Sequence, residues 1–211
     1  MIKTAVFDEH AQAYDAWFDH FPFVFQSEVE AIRNLLPVGE SHGIEVGLGS
    51  GQFADALGIK EGVEPAQSLR EMATQRGIEV FNATAEHLPY KDLRFDFVLM
   101  SSCISYLDSL LPAFLEAHRV LRHGGALIVG FIPRDSLLGK SYEAKRNSSL
   151  FYKQAVFYTP ERVAEALRKA GFVKLNYMQT IFNPLHRIGS VEQAEEGFDK
   201  GSYVLVKAYK K

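Results

Sequence analysis

The sequence predicts an α/β protein with a doubly wound parallel β-sheet, and two observations lead to this fold class. Strand-like and helix-like segments alternate along most of the chain, which is the pattern of a parallel sheet with helices on both faces. The strand-like segments are also short, apolar and rich in Val, Ile and Phe, as in "FDFVLMS" and "GALIVGFI". Strands of that composition are typical of a sheet that is buried on both faces.

The predicted elements follow one another in a regular order after an N-terminal region. "SHGIEVG" and "IKEGVEP" predict the first two strands, and a helix follows with Pro65 near its first position. After the strand "IEVFNAT", an apolar stripe over residues 107–121 predicts a helix between the two apolar strands. "TPERVAEALRKAG" predicts a further helix with Thr159 as its N-cap. Two last strands, over roughly 172–180 and 202–209, close the chain.

Composition excludes several classes of protein. The chain has 211 residues, enough for one domain with a sizeable core, and its net charge of −3 lacks the basic excess of a nucleic-acid binder. No apolar run has the length of a membrane span, and the N-terminus lacks the apolar core of a signal peptide. We therefore expect a cytoplasmic protein. The one cysteine, Cys103, rules out an internal disulfide, and no cluster of residues has the spacing of metal ligands.

A glycine-rich turn follows the first predicted strand, where open α/β sheets bind ligands. Its pattern is Gly47-x-Gly49-x-Gly51, and the next residue is Gln52. A dinucleotide fingerprint needs a further glycine at that position, and a phosphate-cradling loop needs a Lys-Ser or Lys-Thr pair. The turn therefore lets a ligand without a pyrophosphate lie against bare backbone, and Glu45, two residues earlier, favours a ligand with positive charge at that end.

A second carboxylate indicates what the ligand is. Glu64 stands 17 residues after Gly47, at the end of the second predicted strand. A carboxylate there can accept two hydrogen bonds from the vicinal hydroxyls of a ribose. A cationic ligand that contains a ribose but no pyrophosphate points to S-adenosylmethionine.

Four blocks in this order also resemble the successive motifs of the class I S-adenosylmethionine-dependent methyltransferases, in the methyltransferase type 11 branch that acts on small molecules. The blocks are "IEVGLGSGQFA", "GVEPAQSLREMA", "ATAEHLPYKDLRFDFVLMSSCISYL" and "AFLEAHRVLRHGGALIVGFI". The resemblance implies a Rossmann-like, mostly parallel sheet of seven strands with the last strand antiparallel. It also implies a single domain over 1–211, divided into an N-terminal helical lid (1–40), a cofactor-binding half (41–132), a lid segment (133–158) and a closing helix with strands (159–211).

The same resemblance assigns residues to the cofactor. Glu45 and the glycine turn would hold the methionine moiety, Glu64 the ribose, and Tyr14 would cover the bound cofactor. Family members often carry Asp where Thr84 stands, beside the adenine, and the stretch from Gly51 to Glu64 is about one helical turn shorter than theirs. The full set is Tyr14, Glu45, Gly47, Leu48, Gly49, Gly51, Glu64, Pro65, Thr84, Ala85, Glu86, Ser101 and Ser102.

The expected reaction is methyl transfer to an N, O or C atom of a small molecule by in-line displacement, with S-adenosylhomocysteine as the product. The acceptor pocket is expected between residues 8–36, which contain "WFDHFPFVFQ", and the segment 133–158. Candidates for a general base are His10, His20, His87 and Tyr106. Two alternatives stay open at this point: a non-catalytic module that binds S-adenosylmethionine, and an NAD(P)-dependent oxidoreductase. The oligomeric state does not follow from the sequence.

Overall fold

The computed structural model describes residues 4–211, which form one mixed β-sheet with helices on both faces. The eight strands are β1 (Gly43–Val46), β2 (Glu61–Val63), β3 (Glu79–Phe81), β4 (Phe95–Ser101), β5 (Leu121–Phe131), β6 (Phe172–Thr180), β7 (Glu195–Glu196) and β8 (Tyr203–Lys210). Their order across the sheet is β3-β2-β1-β4-β5-β8-β6-β7. Strands β1 to β5 pair in parallel, and β8 is inserted antiparallel between β5 and β6.

The predicted fold class is confirmed, with one addition at the edge of the sheet. Seven strands have the expected arrangement, with the last of them, β8, antiparallel. The addition is β7, in which Glu195 and Glu196 pair with Gln179 and Met178 of β6. Both glutamates are exposed, and charged residues on an edge strand block further pairing. Because two exposed acids show no apolar alternation, the sequence carries no sign of this strand.

The helices flank the sheet on both sides. They are α1 (Ala5–Glu9), α2 (Ala11–His20), α3 (Pro22–Arg33), α4 (Gln52–Leu57), α5 (Gln67–Gln75), α6 (Leu110–Val120), α7 (Leu137–Ala144) and α8 (Pro160–Lys169). Helix α8 begins as expected, since the Thr159 hydroxyl accepts a hydrogen bond from the Arg162 N–H at 3.4 Å and Pro160 occupies the first turn. The helix predicted over residues 107–121 is shorter at both ends. It begins at Leu110, because Ser109 is extended, and it ends at Val120, because Leu121 already belongs to β5.

The central strands separate two apolar layers. In β4, Val98 and Met100 pack into the layer that contains α6 and α8, whereas Leu99 packs into the layer that contains α3 and α4. In the same way Leu127 and Ile128 of β5 lie in opposite layers. Successive side chains of a strand point to opposite faces, so two covered faces require the unbroken apolar runs that the sequence shows.

We expect Gly62→Ala to destabilise the protein by about 1–3 kcal/mol, because a Cβ at this position of β2 would collide with the backbone carbonyl oxygen of Glu45. A backbone atom held in a parallel strand pair cannot move aside as a side chain can. Urea unfolding measures the loss of unfolding free energy. Gly189→Ala is the matched control, since nothing lies within 4 Å of a Cβ there, and it should leave the unfolding free energy unchanged. Equal stability of the two variants would contradict this account of the β1–β2 contact.

Candidate active site

The turn between β1 and α4 is made of glycines for two separate reasons. Gly47, Gly49 and Gly51 have φ values of +68°, +59° and +87°, a left-handed conformation that other residues adopt at a cost. A Cβ on Gly49 would also lie 2.6 Å from the hydroxyl of Tyr14, and one on Gly51 would lie 2.7 Å from Ile78. The turn is therefore packed between the N-terminal helices on one side and the α5–β3 unit on the other.

Two buried carboxylates lie beside this turn. Glu64, at the end of β2, accepts hydrogen bonds from the N–H groups of Gly49 at 3.0 Å and Ala66 at 2.9 Å. Burial nonetheless outweighs these bonds and raises the pKa of Glu64 to about 7. Glu45 in β1 is 1% exposed, and its Oε2 atom has no hydrogen-bond partner in the described part of the chain. Burial also raises the pKa of Glu45 well above its usual range.

Tyr14 of α2 lies against the turn, and burial together with the two carboxylates raises the pKa of its hydroxyl. A residue that the sequence analysis missed anchors this helix. Asp15 accepts hydrogen bonds from the side chains of Ser50 at 2.5 Å and Gln52 at 2.8 Å, and it forms an ion pair with Arg76 at 2.9 Å. These bonds connect α2 to the turn and to α5. Nothing in the sequence pairs Asp15 with residues 35 to 61 positions away, so only the tertiary structure reveals it.

A single cavity extends from the turn to the space beneath the N-terminal helices. Ten of the thirteen residues predicted for the cofactor line it: Tyr14, Gly47, Gly49, Glu64, Pro65, Thr84, Ala85, Glu86, Ser101 and Ser102. The other three, Glu45, Leu48 and Gly51, are not among its lining residues. Leu48 packs in the core instead, and Gly51 packs against Ala73 and Ile78.

Ser101, the last residue of β4, and Ser102, which follows it, both line the cavity. The Ser101 hydroxyl is hydrogen-bonded to the hydroxyl of Tyr203 at 2.8 Å, which fixes its orientation. Ser102 has a φ of +59°, and its N–H donates to the carbonyl oxygen of Gly130 at 2.8 Å. A non-glycine residue in that conformation is strained, and such residues are concentrated at functional sites.

A second group of lining residues, apart from those predicted for the cofactor, is mostly apolar. We call the part of the cavity that they line the aromatic half, and its lining residues are Trp17, Phe18, Val24, Glu28, Ile132, Leu138, Tyr142, Phe151, Tyr152 and Leu185. The first three come from the stretch "WFDHFPFVFQ", and four lie within residues 133–158, so both expected regions contribute to it. Glu28 was missed, because a glutamate in an amphipathic helix ordinarily faces solvent.

A family model for a methyltransferase domain matches residues 44–129. An uncharacterised protein of Methanocaldococcus jannaschii is 40% identical over 205 residues, which are 97% of this chain and 98% of the relative. A crystal structure from Thermotoga maritima has a TM-score of 0.94 and 40% sequence identity, and the alignment covers 98% of both chains. That protein is described as an S-adenosylmethionine-dependent methyltransferase, possible histamine N-methyltransferase. This chain belongs to the class I S-adenosylmethionine-dependent methyltransferases.

The residues of this methyltransferase fit its cofactor. Gly47 and Gly49 line the cavity with backbone atoms alone, and Glu64 offers carboxylate oxygens just after β2. Four acids, Glu28, Glu64, Glu86 and Asp108, line the cavity, and no Lys, Arg or His is found among the described lining residues. Such a cavity suits a cation, and it disfavours the phosphates of a dinucleotide. The oxidoreductase alternative therefore fails on the family, and the described lining offers no basic side chain to pair with a phosphate.

The four candidates for a general base in this methyltransferase differ in whether they line the cavity. Tyr106 lines the cavity, and burial raises the pKa of its hydroxyl above the ordinary value of 10. His10, His20 and His87 are not among the lining residues. Among residues 4–211, no group of three or more His, Cys, Asp or Glu side chains could hold a metal ion, and no helix is long and apolar enough to cross a membrane.

We expect the unfolding free energy of the methyltransferase to depend on pH through Glu28. Burial raises the pKa of this carboxyl from 4.5 to about 8. The unfolded chain then releases this proton at lower pH than the folded chain, so stability falls as pH rises from about 5 to 8. Glu28→Gln removes the titration and should reduce that fall by more than about 1 kcal/mol, measured by urea unfolding at both pH values.

Glu30→Gln is the control for this measurement. Glu30 lies two residues further along α3, and its side chain bonds only to that of Gln26 among the described residues. The control should keep the pH dependence of the original protein. If Glu28→Gln also keeps it, the carboxyl is ionised at neutral pH and the assigned direction of its pKa is wrong.

Proposed function

We propose that this protein transfers the methyl group of S-adenosylmethionine to a small molecule held in the aromatic half of the cavity. The observation that carries the proposal is the continuity of the cavity, which joins the glycine turn and Glu64 to a recess walled by α2, α3 and residues from 133–158. A recess of this kind, mostly apolar with a few polar groups, is typical of a site for a small ligand. A nucleic acid or a protein surface would need an open face.

We assign the cofactor end of the cavity to the residues near the turn. Glu64 would accept hydrogen bonds from the ribose hydroxyls, and the backbone of Gly47 and Gly49 would contact the methionine part. Glu45 would act from behind the turn, because its carboxylate is buried beside the cavity wall rather than in it. Thr84, Ala85 and Glu86 would lie beside the adenine, and Pro65, Ser101 and Ser102 would complete the lining. Leu48 and Gly51 would act by shaping the turn, since they pack against the protein and not against the cavity.

Methyl transfer needs little from the protein beyond the correct positioning of the cofactor and the methyl acceptor. When bound, S-adenosylmethionine supplies a methyl group on a sulfonium, which a nucleophile displaces in line to leave S-adenosylhomocysteine. Tyr14 and Trp17 would close the cavity over the reacting groups and exclude water, and the aromatic half would orient the acceptor. Tyr106 is the candidate base that lines the cavity. The accepting atom is N, O or C, and the description of the Thermotoga maritima relative favours nitrogen.

We further propose that the whole chain works as a single domain with two movable covers. Residues 1–40 would form one lid and residues 133–158 the other, over a cofactor-binding half at 41–132 and a closing unit at 159–211. Tyr14, Trp17 and Phe18 of α2 support the first lid, since they line the cavity from above the turn. Tyr142, Phe151 and Tyr152 support the second for the same reason.

We expect S-adenosylmethionine and S-adenosylhomocysteine to raise the midpoint of thermal unfolding, and NAD and NADP to leave it unchanged. A ligand at 100 times its dissociation constant adds about 2.7 kcal/mol to the unfolding free energy. Glu64→Ala and the milder Glu64→Gln should abolish or reduce the shift. Glu71→Ala, on the exposed side of α5, should retain it. A shift with NAD or NADP alone would overturn the proposed site.

A measurement of turnover distinguishes a working methyltransferase from a non-catalytic module that only binds S-adenosylmethionine. We expect S-adenosylhomocysteine to form faster when a panel of small amines, phenols and carbon nucleophiles is added, with at least one member carrying label from the methyl group of S-adenosylmethionine. Glu64→Ala should lower this rate at a fixed, subsaturating cofactor concentration by at least tenfold. Tight cofactor binding with no acceptor-dependent turnover across the panel would count against the small-molecule reaction.

A further inference from the structure

One carboxylate in the aromatic half has no structural explanation. Glu28 lies on α3 one turn after Val24, and both side chains line the cavity. Glu28 is only 7% exposed, yet it has no hydrogen-bond or ion-pair partner within residues 4–211. Its neighbour Ser27 differs, since the Ser27 hydroxyl donates to the Phe23 carbonyl oxygen at 2.6 Å and accepts from the Glu192 N–H at 2.9 Å.

Tyrosine side chains from three elements lie near enough to Glu28 for its charge to act on their hydroxyls. Tyr142 comes from α7, Tyr152 from the short 3-10 turn after it, and Tyr203 from β8. Burial first, and the nearby Glu28 carboxylate among the further causes, raises the pKa of each of these hydroxyls. The rings of Tyr142 and Tyr152 stack with their centroids 4.2 Å apart. A carboxyl group and a set of tyrosine rings therefore lie in the same region of the cavity.

A buried carboxyl without a partner costs stability, so its presence requires another account. Burial raises the pKa of Glu28 to about 8, and burial is the one cause of that shift. An occupant with N–H donors and a positive charge would supply the hydrogen bonds and the opposite charge that this carboxyl lacks, because it would pair with the carboxylate in a dry environment. Aromatic rings beside the carboxylate favour the same kind of occupant through cation–π attraction. An anionic occupant would find no Lys, Arg or His among the described lining residues.

We propose that Glu28 recognises the methyl acceptor, and that the acceptor is a small organic molecule carrying a protonated amino group. The inference rests on the proposed function, since it assigns the aromatic half to the acceptor. Glu28 binds the ammonium group, and the rings of Tyr142, Tyr152 and Trp17 pack against the hydrocarbon part. Carboxylate and phosphate compounds of the same shape are excluded by charge.

The test compares matched compounds that differ in charge alone. Triads of amine, alcohol and carboxylate on one skeleton are titrated into the full chain saturated with S-adenosylhomocysteine, and isothermal calorimetry gives the dissociation constants. The skeletons are phenylethyl, imidazolylethyl and hexyl, which cover aromatic, heteroaromatic and aliphatic shapes. We expect the amine to bind at least tenfold more tightly than the alcohol in at least one triad, and the carboxylate to bind least. If no amine is the tightest member of its triad, the proposal is wrong.

Glu28→Gln keeps the shape of the side chain and removes its charge. It should weaken the favoured amine at least tenfold and leave the matched alcohol within twofold of its original affinity. Glu30→Gln, which removes the same charge from the same helix outside the cavity, should bind amine and alcohol as the original protein does. An unchanged amine affinity in Glu28→Gln overturns the role of this residue, and an equal loss for amine and alcohol shows a merely structural effect.

S-adenosylhomocysteine binding is measured first for every variant and separates the two proposals. If the original protein does not bind it, the proposed function fails. If binding is normal in the original protein and in Glu28→Gln, but no amine is preferred, the recognition role of Glu28 fails alone. The unfolding midpoint of Glu28→Gln should equal or exceed that of the original protein at pH 8, since an unpartnered buried carboxyl is removed. A lower midpoint would indicate a structural role for the carboxyl.

Discussion

The hydrogen bond from the Gly49 N–H to the Glu64 carboxylate connects the two strand ends on which the site depends. It attaches the turn after β1 to the end of β2, over a distance of 3.0 Å and out of contact with bulk water. With the turn fixed there, Ser50 and Gln52 present their side chains to Asp15, and α2 can pack with Tyr14 over the glycines. The packing of α2 over the cavity therefore depends on the hydrogen bond between Gly49 and Glu64.

Sequence patterns predict the parts of this methyltransferase that are governed by local rules. The alternation of strand and helix segments predicts the sheet, and the spacing of the glycines predicts the turn. The position of Glu64 after the second strand predicts a ligand contact, and Glu64 lines the cavity. Local rules do not identify Asp15 or Glu28, because the surroundings that distinguish them come from residues far along the chain. In the sequence both are simply acidic residues in helices. In the structure Asp15 is paired with Arg76, whereas Glu28 is buried without a partner among the described residues.

The charge of the cavity differs from the charge of the whole chain. A net charge of −3 on 211 residues is nearly balanced, and many basic residues pair with acids at the surface, as Arg162 does with Glu165. The described lining of the cavity differs, since it includes four acidic side chains and no Lys, Arg or His. Weak dielectric screening inside a folded chain makes this local imbalance far more influential than the overall charge. Global composition is therefore a poor guide to what such a site selects.

Helix α2 lines both halves of the cavity, with Tyr14 against the turn and Trp17 one helical turn further along. A displacement of this one helix would uncover both compartments together, and the Asp15–Arg76 ion pair would have to break or travel with it. Spent cofactor and finished product would then leave through a shared exit during the same opening event. If release through this exit limited turnover, the residues that hold α2 against the turn would also influence the rate of catalysis.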